Sequence, residues 1–298
     1  YYHEAIKVTD WREWLSTFND NQTHLLKHTR PHPPFAILIH YFIVKISCNS
    51  LPVLAGSFVL MASSAMIVIL KIMRELGVSK QQAFQFALLF SVVPAYNIYS
   101  AVSLDGVIVS LGAIFLLGTI MLMKRGATIP GIILFVFGIV IANLLTFLAL
   151  FMIATACLVA LRELIVNKRK AVLLSLLVCL SVMLFLQIAM KHLLGYDHVL
   201  AFITASGLEP KSVFSYPVRY VMTRLENIVM LVIFLSFGII AVLVRPSYLK
   251  SKLFDLSDDF NSLFLAGIAP VLLFFLIGGL YTGEGARILL FVYPFFLL

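Results

Sequence analysis

Apolar residues run along this chain in long unbroken blocks, at approximately 53–73, 82–97, 106–123, 129–144, 146–161, 171–190, 222–244, 262–280 and 287–298. A helix needs about 20 apolar residues to cross the hydrocarbon of a bilayer, and these blocks approach or reach that length. Continuous runs also exclude the apolar–polar alternation of a membrane barrel. The pattern predicts an all-α, polytopic transmembrane helical bundle in one domain, 1–298. Residues 1–52 form an amphipathic first external loop, 53–298 hold about nine crossings, and 191–221 form a second external loop.

A further apolar run at 35–47 is interrupted by His40 and Lys45 and is short for a crossing. It reads either as a short span or as a helix lying in the interface. Before it, Trp11, Trp14, Leu15 and Phe18 recur at the spacing of one helical face. A charged helix carrying both tryptophans of the chain is expected to lie in the interface plane. The two segments are separated by His28-Thr29-Arg30-Pro31-His32-Pro33-Pro34. Prolines lack an N–H and restrain the residue before them, so this stretch is a stiff, non-helical bend.

Charge orients the bundle. With 35–47 at the interface and 53–73 as the first crossing, one set of turns contains Lys71, Arg74 and Lys80, then Lys124 and Arg125, then Arg162, Lys168, Arg169 and Lys170, then Arg245, Lys250 and Lys252. The opposite short connections, at 98–105 and near 145, hold no Lys or Arg. The excess of basic residues marks the cytoplasmic side. Residues 1–52, 97–105, 191–221 and 281–287 then face outward or into a lumen.

Composition agrees with a membrane protein: 61% of the 298 residues are hydrophobic and 12% charged, the latter about half the share in soluble domains. The net charge of +8 fits basic turns against anionic lipid, so no nucleic-acid partner is expected. Cys48, Cys157 and Cys179 lie in or beside apolar runs, without metal spacing. The chain opens on Tyr1 without Met and closes within an apolar run, which is expected of a portion of a longer polytopic protein.

Polar groups at span edges are the candidates for chemistry. Asp105 opens a helix on the outer side; it serves as a helix-start carboxylate or orients a substrate hydroxyl. Glu284 and Arg287 are three apart between Gly283 and Gly285, and form a helix-end pair or a phosphate clamp. His28, Arg30 and His32 offer three cationic donors to an anionic head group. Lys191, His192, Arg219 and Arg224 flank the second loop, as lipid anchors or pyrophosphate contacts. Asn143 and Thr146 are turn residues, and Asn21-Gln22-Thr23 is a glycosylation sequon. No cofactor is expected; a divalent metal shared by Glu4, Asp10, His28 and His32 is the minor alternative, without a familiar ligand spacing.

Arg30-Pro31-His32-Pro33-Pro34, Ser103-Leu104-Asp105-Gly106 and Gly283-Glu284-Gly285-Ala286-Arg287-Ile288-Leu289-Leu290-Phe291-Val292-Tyr293-Pro294 together resemble the GT-C superfamily of polytopic glycosyltransferases, including protein O-mannosyltransferases and lipid A aminoarabinose transferases. The resemblance implies a polyprenyl- or dolichyl-phosphate sugar donor, membrane-borne substrates and transfer on the external or lumenal face of a plasma or endoplasmic-reticulum membrane. It implies inverting displacement, with a first-loop carboxylate as base; Glu4 and Asp10 are the nearest carboxylates, although neither matches the family's Asp after a first span. It also implies that His28, Arg30, His32, Asp105, Glu284 and Arg287 bind substrate. The competing readings are a transporter or flippase and a non-catalytic relative.

Overall fold

The computed structural model describes residues 1–100, 103–208, 217–235, 257–277 and 290–297. All regular structure among them is helical. Four helical stretches among the described residues are long and apolar enough to cross a membrane: Leu51–Glu75, Leu104–Arg125, Phe147–Ile165 and Ala171–Leu194. The chain is therefore an integral membrane protein by helix length and composition.

The helices are α1 (Tyr2–Ala5), α2 (Trp11–Ser16), α3 (Phe18–Asn21), α4 (Phe35–Ile46), α5 (Leu51–Glu75), α6 (Lys80–Ser91) and α7 (Pro94–Ser100). They continue with α8 (Leu104–Arg125), α9 (Ile129–Leu145), α10 (Leu150–Ile165), α11 (Ala171–Leu194), α12 (His198–Gly207), α13 (Pro217–Leu235) and α14 (Asp259–Ile277). Short 3-10 turns cover Gln22–His24, Phe147–Ala149 and Leu290–Leu297.

The core is built on α8. It is 89% buried along its apolar window, against 28% for α5 and 22% for α11, so α8 is the central staff and the other two face lipid. Lipid is as apolar as leucine, so helices associate in it by close packing and small residues. α8 follows that rule. A Cβ on Gly106 would lie 2.8 Å from the Ala62 Cβ of α5, and one on Gly138 of α9 would lie 2.8 Å from Leu111 O of α8. Ser110 Oγ donates within 2.8 Å of Met61 O and Ala62 O.

These contacts fix direction. Gly106 and Ser110 meet Ala62 near the start of α8, and Arg125 pairs with Glu75 at 2.6 Å where both helices end, so α5 and α8 run parallel. α9 returns antiparallel, with Gly131 beside Leu122 and Gly138 beside Phe115. The predicted up-and-down order thus holds for these helices. It gathers Glu75, Arg125, Arg162 and Arg169 at one end, where Arg169 Nη1 donates to Met123 O. The opposite end holds residues 1–50, the end of α9, and 190–208.

Several elements differ from the sequence pattern. The run at 82–97 is two helices, because Pro94 has no N–H to continue the ladder; α6 stops at Ser91 and α7 restarts at Pro94. The face of Trp11, Trp14, Leu15 and Phe18 is divided between α2 and α3. Ser16 and Thr17 turn their hydroxyls onto Glu13 O at 2.8 and 3.1 Å, which favours ending the helix. Leu15 and Phe18 are fully buried against the rest of the chain, while Trp11 and Trp14 stay partly exposed. The 191–221 segment is not all loop: α11 extends to Leu194, Gly195 terminates it in the left-handed region at φ 69°, and Asp197 caps α12 through Val199 N and Leu200 N, both at 3.0 Å.

Candidate functional site

The proline-rich bend organises the loaded end. Pro33 and Pro34 open α4, where missing N–H groups cost little because the first turn has no carbonyl partners for them. The bend is tied to Leu26: Thr29 Oγ1 donates to its carbonyl at 2.8 Å, and Arg30 N donates to the same oxygen at 3.1 Å. Glu4 Oε1 accepts from Leu26 N at 3.3 Å, while Glu4 Oε2 pairs with Lys7 at 3.2 Å. Glu4 is thus a buried carboxylate that already holds two partners.

Tyr1 joins two histidines. Its ring stacks on His40 at 5.2 Å and meets His32 edge-on at 5.4 Å. His40 lies against Phe58 at 4.5 Å, and its Nδ1 is 2.7 Å from Ala36 O, so that nitrogen carries the proton and donates. Burial pushes the His40 pKa down to about 4, leaving the ring neutral at physiological pH. His32 belongs to the proline-rich bend, and His40 is the histidine that the pattern of apolar residues marks only as an interruption.

The start of α8 lies nearby but deeper. Phe58 touches His40, and Ala62, one turn further along α5, meets Gly106. Eleven residue steps from Leu51 to Ala62 correspond to roughly 16 Å of helix. The helix start bearing Asp105 is therefore set well below the tip of α5. Ser103 Oγ caps α8 through Asp105 N and donates to Asp105 Oδ2 at 2.8 Å. Asp105 thus keeps one oxygen on its own cap.

The remaining predicted residues separate. Asp10 is exposed and caps α2 through Arg12 N at 2.7 Å, away from the Tyr1 cluster. His28 is exposed, and Arg30 is half-buried with its carbonyl accepting from Gln22. Glu284 and Arg287 lie outside the described residues. Among the described residues no three His, Cys, Asp or Glu side chains converge as a metal site would require, so Glu4, Asp10, His28 and His32 do not form one.

Sequence reasoning missed a polar network binding the two outer segments. Tyr196 is fully buried, and its hydroxyl lies 2.8 Å from His198 Nδ1; His198 Nε2 lies 2.9 Å from Asn143 Oδ1. With a neutral imidazole, both contacts are served when Tyr196 donates to Nδ1 and Nε2–H donates to Asn143 Oδ1. Burial holds the His198 pKa down to about 4, which agrees with that order. Beside it, Asn19 and Asp197 exchange backbone–side-chain bonds, both 2.9 Å. Gln187 donates to Asp197 Oδ1 at 2.9 Å, and Lys191 pairs with Oδ2 at 2.7 Å. The Lys191 hydrogen bond, then the Leu200 amide, hold the Asp197 pKa down to about 2. Gln22 completes the clasp by donating to Arg30 O and Ala201 O. The available signal was local: Gly195-Tyr196-Asp197-His198 reads as a helix stop followed by a cap.

Comparison of the chain with family models, with curated proteins and with solved structures gave no match.

Proposed function

We propose that this chain is the membrane part of a GT-C-like glycosyltransferase that moves a sugar from a polyprenyl- or dolichyl-phosphate carrier to a membrane-borne or lumenal acceptor. The observation that carries the reading is the deep start of α8. Asp105 opens α8 beside Gly106, which meets Ala62 one turn along α5 from the Phe58 that lies against His40, and Tyr1 joins His40 to His32, at the end opposite the basic turns. A lipid-borne donor diffusing in the membrane plane would meet the Arg30 bend, His32 and His40 first and the Asp105 carboxylate deeper on the same side, which suits proximity catalysis.

In this reading a first-loop carboxylate takes the acceptor hydroxyl proton. The oxygen attacks the anomeric carbon, and the carbon–oxygen bond to the phosphate breaks with its electron pair leaving on phosphate. Arg30, His32 and Arg287 stabilise the departing charge, and Glu284 orients Arg287. Asp105 orients the sugar. Glu4 serves as base only if it gives up Lys7; Asp10 takes that role only if α2 is uncapped. A photoreactive polyprenyl-phosphate sugar tests the placement. Crosslinks mapping to 28–40 and 96–110 support it, and crosslinks confined to the basic end refute it.

One observation favours the transporter reading instead. Asn227 is fully buried within α13, and neither its amide nitrogen nor its oxygen has a hydrogen-bond partner. Polar groups buried in membrane helices mark substrate paths. Counterflow of a labelled substrate without sugar transfer decides for that reading.

A further inference from the structure

The turn between α4 and α5 stands at a depth that helix length fixes. Stretch 51–70 of α5 contains no charged residue, and Lys71 follows it. The residue steps from Leu51 to Lys71 make roughly 30 Å of helix, the thickness of bilayer hydrocarbon. With Lys71 at the basic boundary, Leu51 lies at the opposite one. α4 packs beside the first turns of α5, with His40 on Phe58 and both Val44 and Leu54 buried. The last turn of α4 and residues 47–50 therefore reach the level of the lipid headgroups.

A notch opens at that level. Its volume is about 270 Å³, and it lies between the link from α1 to α2, with Ile6 and Thr9, and the end of α4, with Tyr41, Lys45, Cys48 and Asn49. Lys45 Nζ donates to the Tyr41 hydroxyl at 2.9 Å and stands 5.2 Å from the ring centre, which keeps the ammonium on the wall of the notch. Cys48 and Asn49 both adopt the left-handed conformation, at φ 50° and 65°, and Asn49 N closes the turn on Val44 O at 2.9 Å. Thr9 and Asn49 are exposed, and their side chains make no hydrogen bond.

An ammonium, a hydroxyl and an amide are donors that suit phosphate oxygens. Asp10 also acts on Lys45, with one oxygen engaged by Arg12 N, and the Arg12 side chain adds a cation in the first turn of α2. Around the donors the surface is apolar: Ile6, Phe42, Ile46 and Leu51 are exposed, Ile46 at 84%. Cationic donors ringed by exposed aliphatic side chains at the hydrocarbon boundary match the two halves of a phospholipid, a charged head and apolar chains.

We propose that this notch binds the phosphate of a phospholipid headgroup. Lys45, Thr9 and Asn49 donate to the phosphate oxygens, and the acyl chains leave over Ile46 and Leu51. The site does not depend on sugar transfer.

The test uses the whole chain in nonionic detergent and reads alkylation of Cys48, the exposed thiol that lines the notch, by an uncharged maleimide and peptide mass spectrometry. Three additions are compared: dioctanoyl phosphatidylglycerol, dioctanoylglycerol and inorganic phosphate. The phosphatidylglycerol should slow alkylation in a saturable way, and the other two should not. Lys45→Gln should raise the lipid concentration needed by roughly tenfold, the loss of one hydrogen bond to a charged group. Equal slowing by dioctanoylglycerol, or none by any addition, overturns the proposal on the unaltered chain alone. Slowing by inorganic phosphate alone makes this a free-phosphate site and overturns the lipid assignment. Undiminished slowing in Lys45→Gln ascribes the effect to the charge of the micelle surface and also refutes the site.

Discussion

The α8–α9 contact is the place where a single atom has the clearest consequence. A Cβ added at Gly118 would sit 2.8 Å from Phe135 Cα and 2.9 Å from Gly131 O, and closer still to Phe135 N. All three are backbone atoms of α9, so no side chain can swing away; the whole helix must shift. Overpacking of this kind costs about 1–3 kcal/mol, while replacing Gly by Ala in a helix interior returns up to about 1 kcal/mol of propensity. The net for Gly118→Ala is about 1–2 kcal/mol of destabilisation, or roughly 5- to 30-fold in the folded/unfolded ratio. Gly56 of α5 supplies the control, because a Cβ there meets nothing within 4 Å. Gly56→Ala keeps the propensity gain without the clash and should be neutral or stabilising. Both variants would be unfolded reversibly in mixed micelles by adding SDS, followed by circular dichroism. Gly118→Ala as stable as Gly56→Ala would refute the close-packing account of α8.

The remaining predictions address charge, pH and sidedness. Arg162 is buried between Glu163 and Asp259, the latter at 2.9 Å, so Arg162→Gln leaves carboxylates unpaired and should cost about 3–5 kcal/mol. Glu75→Gln, which breaks the largely exposed Arg125 pair, should cost less than about 1 kcal/mol in the same unfolding assay. Because burial lowers the His198 pKa from 6.5 to about 4, the folded state disfavours the charged imidazole. Its stability contribution is complete above pH 6.5 and is lost as pH falls toward 4. His198→Gln should therefore flatten part of the loss of thermal stability between pH 7 and 4.5, the remainder belonging to His40, which shifts in the same direction. An undiminished slope would remove His198 from the account. An impermeant thiol reagent should reach Cys48 and a cysteine placed at His28 from one side of the membrane, and a cysteine at Lys168 from the other; labelling of all three from one side contradicts the two-ended arrangement.

The sequence carried the ends of helices better than their neighbours. Ser103 before α8, Gly126 after it and Ile129-Pro130 at the start of α9 are local signals, and the structure uses each at a helix boundary. The central position of α8 was not legible, because lipid-facing and protein-facing helices are equally apolar and differ chiefly in small residues such as Gly106, Ser110 and Gly118. The Tyr196–His198–Asn143 relay was hidden for another reason: His198 and Asn143 are 55 residues apart, and Asn19 and Asp197 are 178 apart. No local pattern encodes such a pairing. The same distance concealed His40, whose ring partners Tyr1 and Phe58 come from two other segments. Asp10 shows the opposite case: the sequence marks it as a first-loop carboxylate, and the fold uses its side chain to cap α2, which no spacing pattern announced.

The central claim is sugar transfer at the end holding Tyr1, His32, His40 and Asp105. Its most direct test places the full-length protein in liposomes with radiolabelled polyprenyl-phosphate sugars and follows release of label from the lipid. The account predicts release from one donor, with and only with its acceptor, and loss of that release in Glu4→Gln and Asp105→Asn while thermal stability is kept. Folded protein that releases no label from any donor, or variants that release it undiminished, would contradict the claim.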